Sequence, residues 1–394
     1  MSRTADRPPH FVTLILLCGL SVVSLNLFLP SLSNIAADFE ASYAVVNLSI
    51  AGYAAMTAVL QLVMGPLSDR FGRRPVMLAS LAIFCLASLG CLLAQDVWSF
   101  LFFRMIQAAI ISGYTVSLAV IRDIAGPQRA ASLLGYLSMA YALAPMLAPM
   151  AGGALDEIFG WRVSFWAFLV MGVAIFGLCW GDLRETNQAR AETLVQQIRS
   201  YPELLRSRRF WGYSLCMAFS IGGFYSFLGG APLVAAAVFE MPTSALGVYM
   251  GSTAAGFVAG SFLAGRFAAR HALTTMMIAG RLVACAGLLV GLAVLLGGLE
   301  HQLTFFGACV FYGMGNGITL PSANAGALSV RPKLAGSAAG LSGALTVAGG
   351  ALMSALTGMV LTPENAAHGL LAMMLLAALL GLAAAFTVRR LERT

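Results

Sequence analysis

The chain has 394 residues, of which 59% are hydrophobic and only 10% are charged, and its mean hydropathy is +0.86. A soluble domain needs about 25% charged residues to cover its surface, so this composition excludes an ordinary soluble protein and predicts one that lies in lipid. The net charge of +7 comes mainly from basic residues in alternate short segments between apolar runs. That pattern indicates membrane topology, and we expect no nucleic-acid partner.

Apolar runs of about 20 residues, the length that crosses a bilayer as a helix, follow one another along the chain. Twelve spans are predicted, at 11–30, 43–64, 76–94, 98–121, 131–154, 164–181, 211–231, 244–264, 275–297, 303–323, 335–359 and 366–388. Strands of a membrane barrel would be about ten residues long and alternating. The predicted fold class is therefore an all-α membrane protein. The first run is longer than that of a signal peptide and lacks a cleavage pattern, so we expect it to be retained.

The basic residues predict the orientation, because Lys and Arg concentrate in short cytoplasmic loops. Twenty of the 23 lie on the side of the two termini, and only Arg162 lies in the opposite loops. Those opposite loops carry eight acidic residues: Asp38, Glu40, Asp96, Asp156, Glu157, Glu240, Glu300 and Glu364. We therefore expect a multi-pass protein of the bacterial inner membrane with both termini in the cytoplasm.

The longest polar stretch divides the spans into six and six. The predicted organisation is a six-helix bundle at 1–181, a cytoplasmic linker at 182–210 and a second six-helix bundle at 211–394. Short repeats agree with this division, since Arg-Phe-Gly-Arg-Arg at 70–74 is echoed by Arg-Phe-Ala-Ala-Arg at 266–270. Two parallel six-helix repeats around a central site form a transporter architecture.

Residues 65–75, after the second span, carry the most specific motif. They resemble the GxLaDrxGrr signature of the major facilitator superfamily through Gly65, Leu67, Asp69, Arg70, Gly72, Arg73 and Arg74. We expect the glycines and prolines to turn the chain tightly, and Asp69 to lie near the amino end of the next helix, where the dipole favours a carboxylate. The resemblance implies two six-helix bundles related by a pseudo-twofold axis, latched by this loop in the outward-facing state. The alternative is a basic turn without a conformational role.

Two arginines are predicted to lie inside the membrane. Arg104 belongs to a segment that resembles the family's RxxqG motif, with Ala108 in place of the glycine. At about 1.5 Å per residue it lies about 9 Å below the outer face, so it needs a polar cavity or a partner unless it snorkels outward. Arg281 lies about 10 Å from the cytoplasmic end of its span, and we expect it to snorkel.

Small residues and proline mark the fifth span. Gly135, Pro149, Gly152 and Gly153 resemble the antiporter motif of drug exporters, although alanine replaces two of its glycines. Such residues let the two halves approach and bend, and simple packing is the alternative. Further segments at 29–30, 122–123, 210–227 and 324–328 resemble the bicyclomycin and chloramphenicol resistance (Bcr/CflA) branch of twelve-span drug/proton antiporters. That resemblance extends over essentially the whole chain and implies proton-coupled multidrug efflux.

One departure from that branch concerns the proton. The branch usually carries an acid in the first span where this chain has Asn26, which cannot titrate. All 16 carboxylates are predicted in loops or at span ends, so no carboxylate remains in the hydrocarbon core as a proton carrier. The candidates for coupling are Asp123, at the end of the fourth span, and a substrate that can itself be protonated.

The predicted substrate site combines polar groups at one depth with adaptable walls. Asn26 lies about 22 Å from the inner face, at the depth of Arg104, with Gln107 one turn below. The predicted walls are Tyr53, Met139, Phe224, Tyr225 and Tyr312, with Asn316 facing the same cavity. For each wall residue, packing in the core or against lipid is the alternative. An unpaired arginine favours an anionic or hydrogen-bond-rich neutral substrate over a cation.

The sequence as a whole predicts a secondary transporter that exports drug-like or metabolite-like molecules by alternating access. The alternative within transport is an uncoupled facilitator or importer of an organic anion such as a siderophore. An enzyme or an ATPase is disfavoured because no His or carboxylate cluster and no P-loop occurs. We expect neither a cofactor nor a metal. The expected partners are a small-molecule substrate, protons and the lipid bilayer, and the expected oligomeric state is a monomer.

Overall fold

A computed structural model describes residues 8–125, 127–187, 202–267, 270–331 and 334–392. All regular secondary structure within these ranges is helical. Two helices have an internal break: α1 comprises Phe11–Asn26, a 3-10 turn at Leu29–Ser31 and Leu32–Asp38, and α4 comprises Val97–Ile106, a 3-10 turn at Gln107–Ile111 and Ser112–Ile124. The others are α2 (Tyr43–Phe71), α3 (Arg73–Leu93), α5 (Pro127–Phe159), α6 (Arg162–Asp182), α7 (Arg208–Ala237), α8 (Thr243–Phe267), α9 (Leu273–Leu296), α10 (Gln302–Ser329), α11 (Ala335–Val360) and α12 (Ala366–Leu391).

The predicted order of spans is confirmed. Eleven helices of the described part are long and apolar enough to cross a membrane, and α5, with 33 residues, occupies the place of the predicted fifth span. Several helices extend beyond their apolar runs. In α2, for example, the helix continues through Gly65 to Phe71.

The tight turn of the basic motif lies at Gly72 and not at Gly65. Gly72 has φ +99°, a backbone conformation that glycine adopts without steric cost. The connection between α2 and α3 is thus one residue long. The predicted tight turn is therefore confirmed at Gly72 and wrong at Gly65, because a continuous helix up to Phe71 bonds its own backbone, whereas a turn earlier would leave polar groups unpaired near lipid.

The breaks in α1 and α4 follow from local chemistry. Residues 27–28 leave the helical pattern just before Pro30, which has no N–H to donate to the preceding turn. In α4 the tighter 3-10 turn begins at Gln107, and such a stretch in the middle of a helix often marks a functional position. Both breaks lie close to Arg104, whose guanidinium bonds α1.

The helices pack as two groups, α1–α6 and α7–α12, which meet mainly through α2 against α11 and α5 against α8. Large apolar side chains such as Trp166, Phe262 and Leu289 remain exposed on the outer surface, as lipid-facing residues do. We call the face where α1 begins and α12 ends, which holds Arg73 and Arg209, the basic face. The other, which holds Asp38 and the end of α5, is the opposite face.

Candidate functional site

Arg104 is fully buried in the first half. Its Nη1 donates to Gln107 Oε1 at 2.6 Å and its Nη2 to Ser24 O at 2.7 Å. The guanidinium carbon lies 4.3 Å from the ring centre of Phe28 and 4.2 Å from that of Tyr53. Two aromatic faces and two charge-assisted hydrogen bonds therefore stabilise this cation. Its Nε has no partner among the described residues.

A second layer of hydrogen bonds fixes these partners. Gln107 Nε2 donates to Ser88 Oγ of α3 at 2.7 Å, and Ser88 Oγ donates to Phe84 O at 2.8 Å. The Tyr53 hydroxyl lies 2.7 Å from Ser24 Oγ. The Arg104 cluster, comprising Arg104, Gln107, Ser24, Phe28, Tyr53 and Ser88, thus links α1, α2, α3 and α4. The structure brings Arg104, Gln107 and Tyr53 together, and sequence reasoning missed the two serines and Phe28.

Asn26 lies in the same part of α1, but the structure records no bond from it to Arg104. Its Nδ2 donates to Val22 O of its own helix at 2.8 Å. Its Oδ1 is buried and has no partner among the described residues. Asn26 therefore presents an unused acceptor two residues beyond Ser24, which itself bonds Arg104.

Helix α7 carries two of the predicted wall residues, Phe224 and Tyr225, whose ring centres lie 6.4 Å apart. Both are half-buried. Tyr225 lies within electrostatic range of Tyr53, a member of the Arg104 cluster in the first half. Met139 and Gly135 belong to α5, but their surroundings fall outside the described residues.

Arg281 is fully buried in the second half, so the prediction that it snorkels is wrong. Its Nη2 donates to Asn316 Oδ1 at 2.5 Å and its Nε to Thr319 Oγ1 at 3.0 Å. On α12, Gly381 leaves room for the chain, since a Cβ there would lie 3.2 Å from Arg281 Cδ. The guanidinium is thus held inside the bundle by polar groups of α10.

Tyr312 and Asn316 belong with Arg281 and not with Arg104. The Tyr312 hydroxyl and Asn316 Nδ2 both donate to Ser220 O of α7, at 2.8 and 3.0 Å. The guanidinium carbon of Arg281 lies 5.7 Å from the Tyr312 ring centre. The single predicted site is therefore two clusters, and we call Arg281, Asn316, Thr319, Tyr312 and Ser220 the Arg281 cluster. In the described part of the chain neither arginine makes an ion pair with a carboxylate.

The basic motif forms a compact network at the basic face. Arg73 makes an ion pair with Asp69, and its Nε lies 3.2 Å from Asp123 Oδ2. The same Asp123 oxygen accepts from Thr186 Oγ1 at 3.1 Å. Asp123 thus belongs to this network at the end of α4, far along the helix from Arg104.

The carboxylate at the amino end of α3 is Glu185 and not Asp69. Glu185 accepts the backbone N–H of Arg73 at 2.9 Å and that of Arg74 at 3.3 Å, which satisfies donors that a helix start leaves free. Asp69 lies instead in the last turn of α2. A side chain at Gly72 would overlap the Glu185 carboxylate. Nothing in the periodicity of the sequence marks Glu185, because it follows the last residue of α6 by three positions in an irregular segment.

The remaining motif arginines also stay within the first half. Arg74 Nη2 donates to Trp180 O at 2.8 Å, and its guanidinium lies 5.5 Å from the Trp180 ring centre. Arg70 lies 5.3 Å from the ring centre of its neighbour Phe71. In the described residues this network therefore ties α2, α3, α4 and the end of α6 to one another.

The side-chain hydrogen bonds between the halves, as far as the described residues show them, lie near the opposite face. They are Ser33 Oγ to Pro232 O at 3.3 Å, Tyr43 Oη to Gly229 O at 2.7 Å, Asn47 Nδ2 to Ser354 O at 2.7 Å and Thr243 Oγ1 to Gly153 O at 3.1 Å. Each donates to a main-chain carbonyl. The molecule is thus closed at the opposite face.

The glycines of the α5 motif lie where α1, α5 and α8 meet at the opposite face, a contact that we call the joint. A Cβ on Gly152 would overlap the carbonyl of Leu27 in α1, and one on Gly153 would overlap that of Thr243 in α8. On the other side of the joint, a Cβ on Gly247 would overlap the carbonyl of Pro149. The glycines therefore allow main chains of α1, α5 and α8 to touch directly.

Comparison with known proteins gives one family. The sequence model described as Major Facilitator Superfamily matches residues 14–354. The chain is 27% identical over 350 residues to a bicyclomycin resistance protein homolog of Haemophilus influenzae, covering 88% of this chain and 87% of that protein. It is 28% identical over 340 residues to the multidrug resistance protein MdtL of Escherichia coli strain K12, covering 83% and 84%.

A solved structure shares the fold. The bacterial homolog of the human lysosomal transporter Spinster, in its inward-facing and unoccupied conformation, superposes with a TM-score of 0.79 at 18% identity. The match covers 97% of this chain and 96% of that one.

Proposed function

We propose, from the premise that the chain belongs to the Major Facilitator Superfamily of membrane transporters, that it exports drug-like or metabolite-like small molecules by alternating access. The multi-pass chain is a transporter and not an enzyme. In the proposed orientation it lies in a bacterial inner membrane as a monomer, with the basic face in the cytoplasm, because basic loops stay inside. Multidrug efflux is the activity that the names of its relatives support.

The observation that carries the proposal is the asymmetry between the two faces. At the opposite face, main-chain carbonyls of one half accept from side chains of the other. At the basic face, the network around Arg73 bonds the first half to itself. Halves joined at one end can separate at the other, which is the geometry of alternating access around a site between repeats. In the proposed orientation this state faces inward.

The Arg104 cluster is the proposed binding site. It contains a buried cation with an unused Nε and the ring of Tyr53. Asn26 presents an unused acceptor in the same part of α1, and Tyr225 of the second half lies within electrostatic range of Tyr53. Such a site suits a ligand that offers an anionic or hydrogen-bonding group together with apolar surface. The α5 glycines act as the hinge of the joint in this proposal, and the basic motif acts as the latch of the outward-facing state.

Export is proposed to be coupled to proton entry. Asp123 is one candidate for the coupling group, because it shares Arg73 with Asp69. Protonation of Asp123 would remove one of two negative charges that hold Arg73, and so would loosen the latch. A substrate that carries its own proton is the other candidate.

A second function, uncoupled or inward movement of an organic anion, is favoured by one observation. Neither Arg104 nor Arg281 has a carboxylate partner in the described residues, and a buried cation without a counterion favours an anionic ligand.

The two functions are separated by flux in proteoliposomes with an imposed pH gradient. A panel of labelled antibiotics and siderophores gives the substrate, and growth of a pump-deficient host expressing the chain gives the direction. Export predicts drug flux that rises with the gradient and collapses when a protonophore removes it. Flux of an organic anion that ignores the gradient would replace the export proposal with the facilitator.

A further inference from the structure

Asp156 is a buried carboxyl group that the transport site does not use. It lies in the last turn of α5, and only 4% of its surface is exposed. Asn34 Nδ2 of α1 donates to its Oδ2 at 2.6 Å. Its Oδ1 is buried and has no hydrogen-bond partner among the described residues. That amide and the nearby hydroxyls of Thr243 and Ser31 favour the ionised carboxylate, but its removal from water disfavours the ionised form more strongly.

The carboxyl group lies at the joint between the halves. Asp156 follows Gly153 by three residues, and the Gly153 carbonyl accepts from Thr243 of the second half at 3.1 Å. The hydroxyls of Thr243 and Ser31 face the Asp156 carboxyl group. Ser31 Oγ is itself buried without a partner in the described part of the chain. Groups of α1, α5 and α8 therefore enclose Asp156 only while the opposite face is closed.

The charge of the neighbouring Glu157 disfavours the ionised form of Asp156 in this closed state. On its own helix Glu157 adds a like charge, and the carboxyl end of α5 adds the negative end of the helix dipole. The basic residue nearest in sequence, Arg162, is already paired with Asp38 of α1 at 2.6 Å. Glu240, which precedes α8, is also acidic.

A protonated carboxyl group fits the same place well. The proton on Oδ1 can be donated to the Ser31 hydroxyl, which gives both unpartnered groups a hydrogen bond. Oδ2 keeps the amide of Asn34. When the halves separate at this face, water reaches the carboxyl group and the ionised form regains its hydration.

We propose that Asp156 is a proton-binding gate residue whose protonation closes the opposite face and whose ionisation opens it. The inference extends the proposed function, because a gate matters only to a carrier that alternates between two faces. The sign follows from linkage: the closed state holds the proton more tightly, so closure is favoured at low pH and lost as pH rises. In the proposed orientation, a low pH outside the cell protonates Asp156 and so returns an emptied exporter to its inward-facing state. Asp156 could thus respond to protons in a chain that has Asn26 where the related branch has an acid in the first span.

The test is a distance measured between the halves at the opposite face. Spin labels at Leu93→Cys and Leu299→Cys, two leucines 70% and 67% exposed, report on α3 and on the segment after α9. Cys85→Ala removes the native cysteine that is not buried. Pulsed electron paramagnetic resonance in lipid nanodiscs, between about pH 5 and about pH 9, then needs neither substrate nor gradient.

We expect the distance to lengthen as pH rises in the labelled parent, and to stay short throughout in Asp156→Asn, which is neutral and of the same shape. The matched control Glu157→Gln, one residue along α5, keeps a transition of parental amplitude, and its midpoint moves slightly downward because a like charge is removed. Asn34→Leu removes the amide that favours the ionised form and moves the midpoint upward by about one pH unit.

A pH-dependent distance that persists unchanged in Asp156→Asn would overturn the gate, as would a parent that does not respond to pH. Failure of the export proposal is read separately, in the flux assay. If Asp156→Asn abolishes the transition while no drug flux is found in any variant, the gate stands and the export proposal falls.

Discussion

Arg104 and Arg281 are both fully buried cations, one in each half, and the protein accommodates them in different ways. Two aromatic ring centres lie within 4.3 Å of the Arg104 guanidinium, and a main-chain carbonyl of α1 accepts from it. Arg281 has one ring centre at 5.7 Å and bonds the side chains of Asn316 and Thr319.

The difference indicates different roles. The Arg104 cluster includes Tyr53 of α2, the helix that packs against α11 of the second half, and Tyr53 lies within electrostatic range of Tyr225. The described hydrogen bonds of the Arg281 cluster stay within the second half, among α7, α9 and α10. A cation at the boundary is placed to meet a ligand, whereas a cation among helices of one half is placed to hold those helices together.

The largest expected effect is that of Arg104→Met on transport. Methionine fills much of the volume but removes two charge-assisted hydrogen bonds, together worth about 3 kcal/mol or about 100-fold. We expect substrate flux in proteoliposomes to fall by at least that factor, with membrane insertion intact. Undiminished flux would show that Arg104 is structural, like Arg281.

The second test exchanges Arg281 for two different residues. Arg281→Ala leaves Asn316 and Thr319 without their partner beside a cavity, and we expect the free energy of unfolding to fall by about 3 kcal/mol. Arg281→Met fills the space but still leaves Asn316 Oδ1 without its donor, and we expect a smaller loss of about 1.5 kcal/mol.

Thermal unfolding in detergent measures the stability of both Arg281 variants. The proteoliposome flux assay then compares the transport of Arg281→Met with that of Arg104→Met. Flux in Arg281→Met should change by less than about threefold if the residue only holds helices together. A loss as large as that of Arg104→Met would remove the proposed division of roles.

A smaller effect is expected for Phe28→Leu. The change keeps an apolar side chain but removes a ring from the Arg104 guanidinium, and a desolvated cation–π contact is worth about 1.5 kcal/mol, or about tenfold in binding. Substrate affinity, measured by titration of tryptophan fluorescence, should weaken accordingly. Phe227→Leu, at a fully buried phenylalanine of the second half, is the matched control and should bind as the parent does.

The smallest effect is expected for Tyr53→Phe. The ring stays over Arg104, and only the hydrogen bond to Ser24 Oγ is lost, at a cost of about 0.7 kcal/mol or about threefold in flux. A loss as large as that of Phe28→Leu would mean that the Tyr53 hydroxyl itself binds the substrate.

Much of the fold can be predicted from the sequence, because apolar run length and the distribution of arginines report directly on spans in lipid. The depth of Arg104 is also predictable, since position along a helix fixes height in the membrane. Depth does not tell which neighbours a side chain meets. The sequence therefore predicts the wrong environment for Arg281, although the polar residues of α10 that bind it are present in the sequence.

Contacts between distant segments cannot be predicted from the sequence either, because position along one helix does not tell which other segment lies beside it. Glu185 bonds the start of α3 from 112 residues away, and no periodicity encodes such a fold-back. Asp156 does lie at a span end, as predicted. Its burial arises from α1 and α8, which hydropathy along one helix does not record.

The glycines at the joint of α5 and α8 have an evolutionary consequence. In the proposed transport cycle, the surface that moves where Gly153 and Gly247 bring carbonyls of the facing helices within contact consists of main chain, which every sequence shares. Substitutions that alter the rings and polar groups near Arg104 can then change which molecules are accepted while the joint keeps its shape. Related proteins could therefore differ in substrate while keeping the same conformational change.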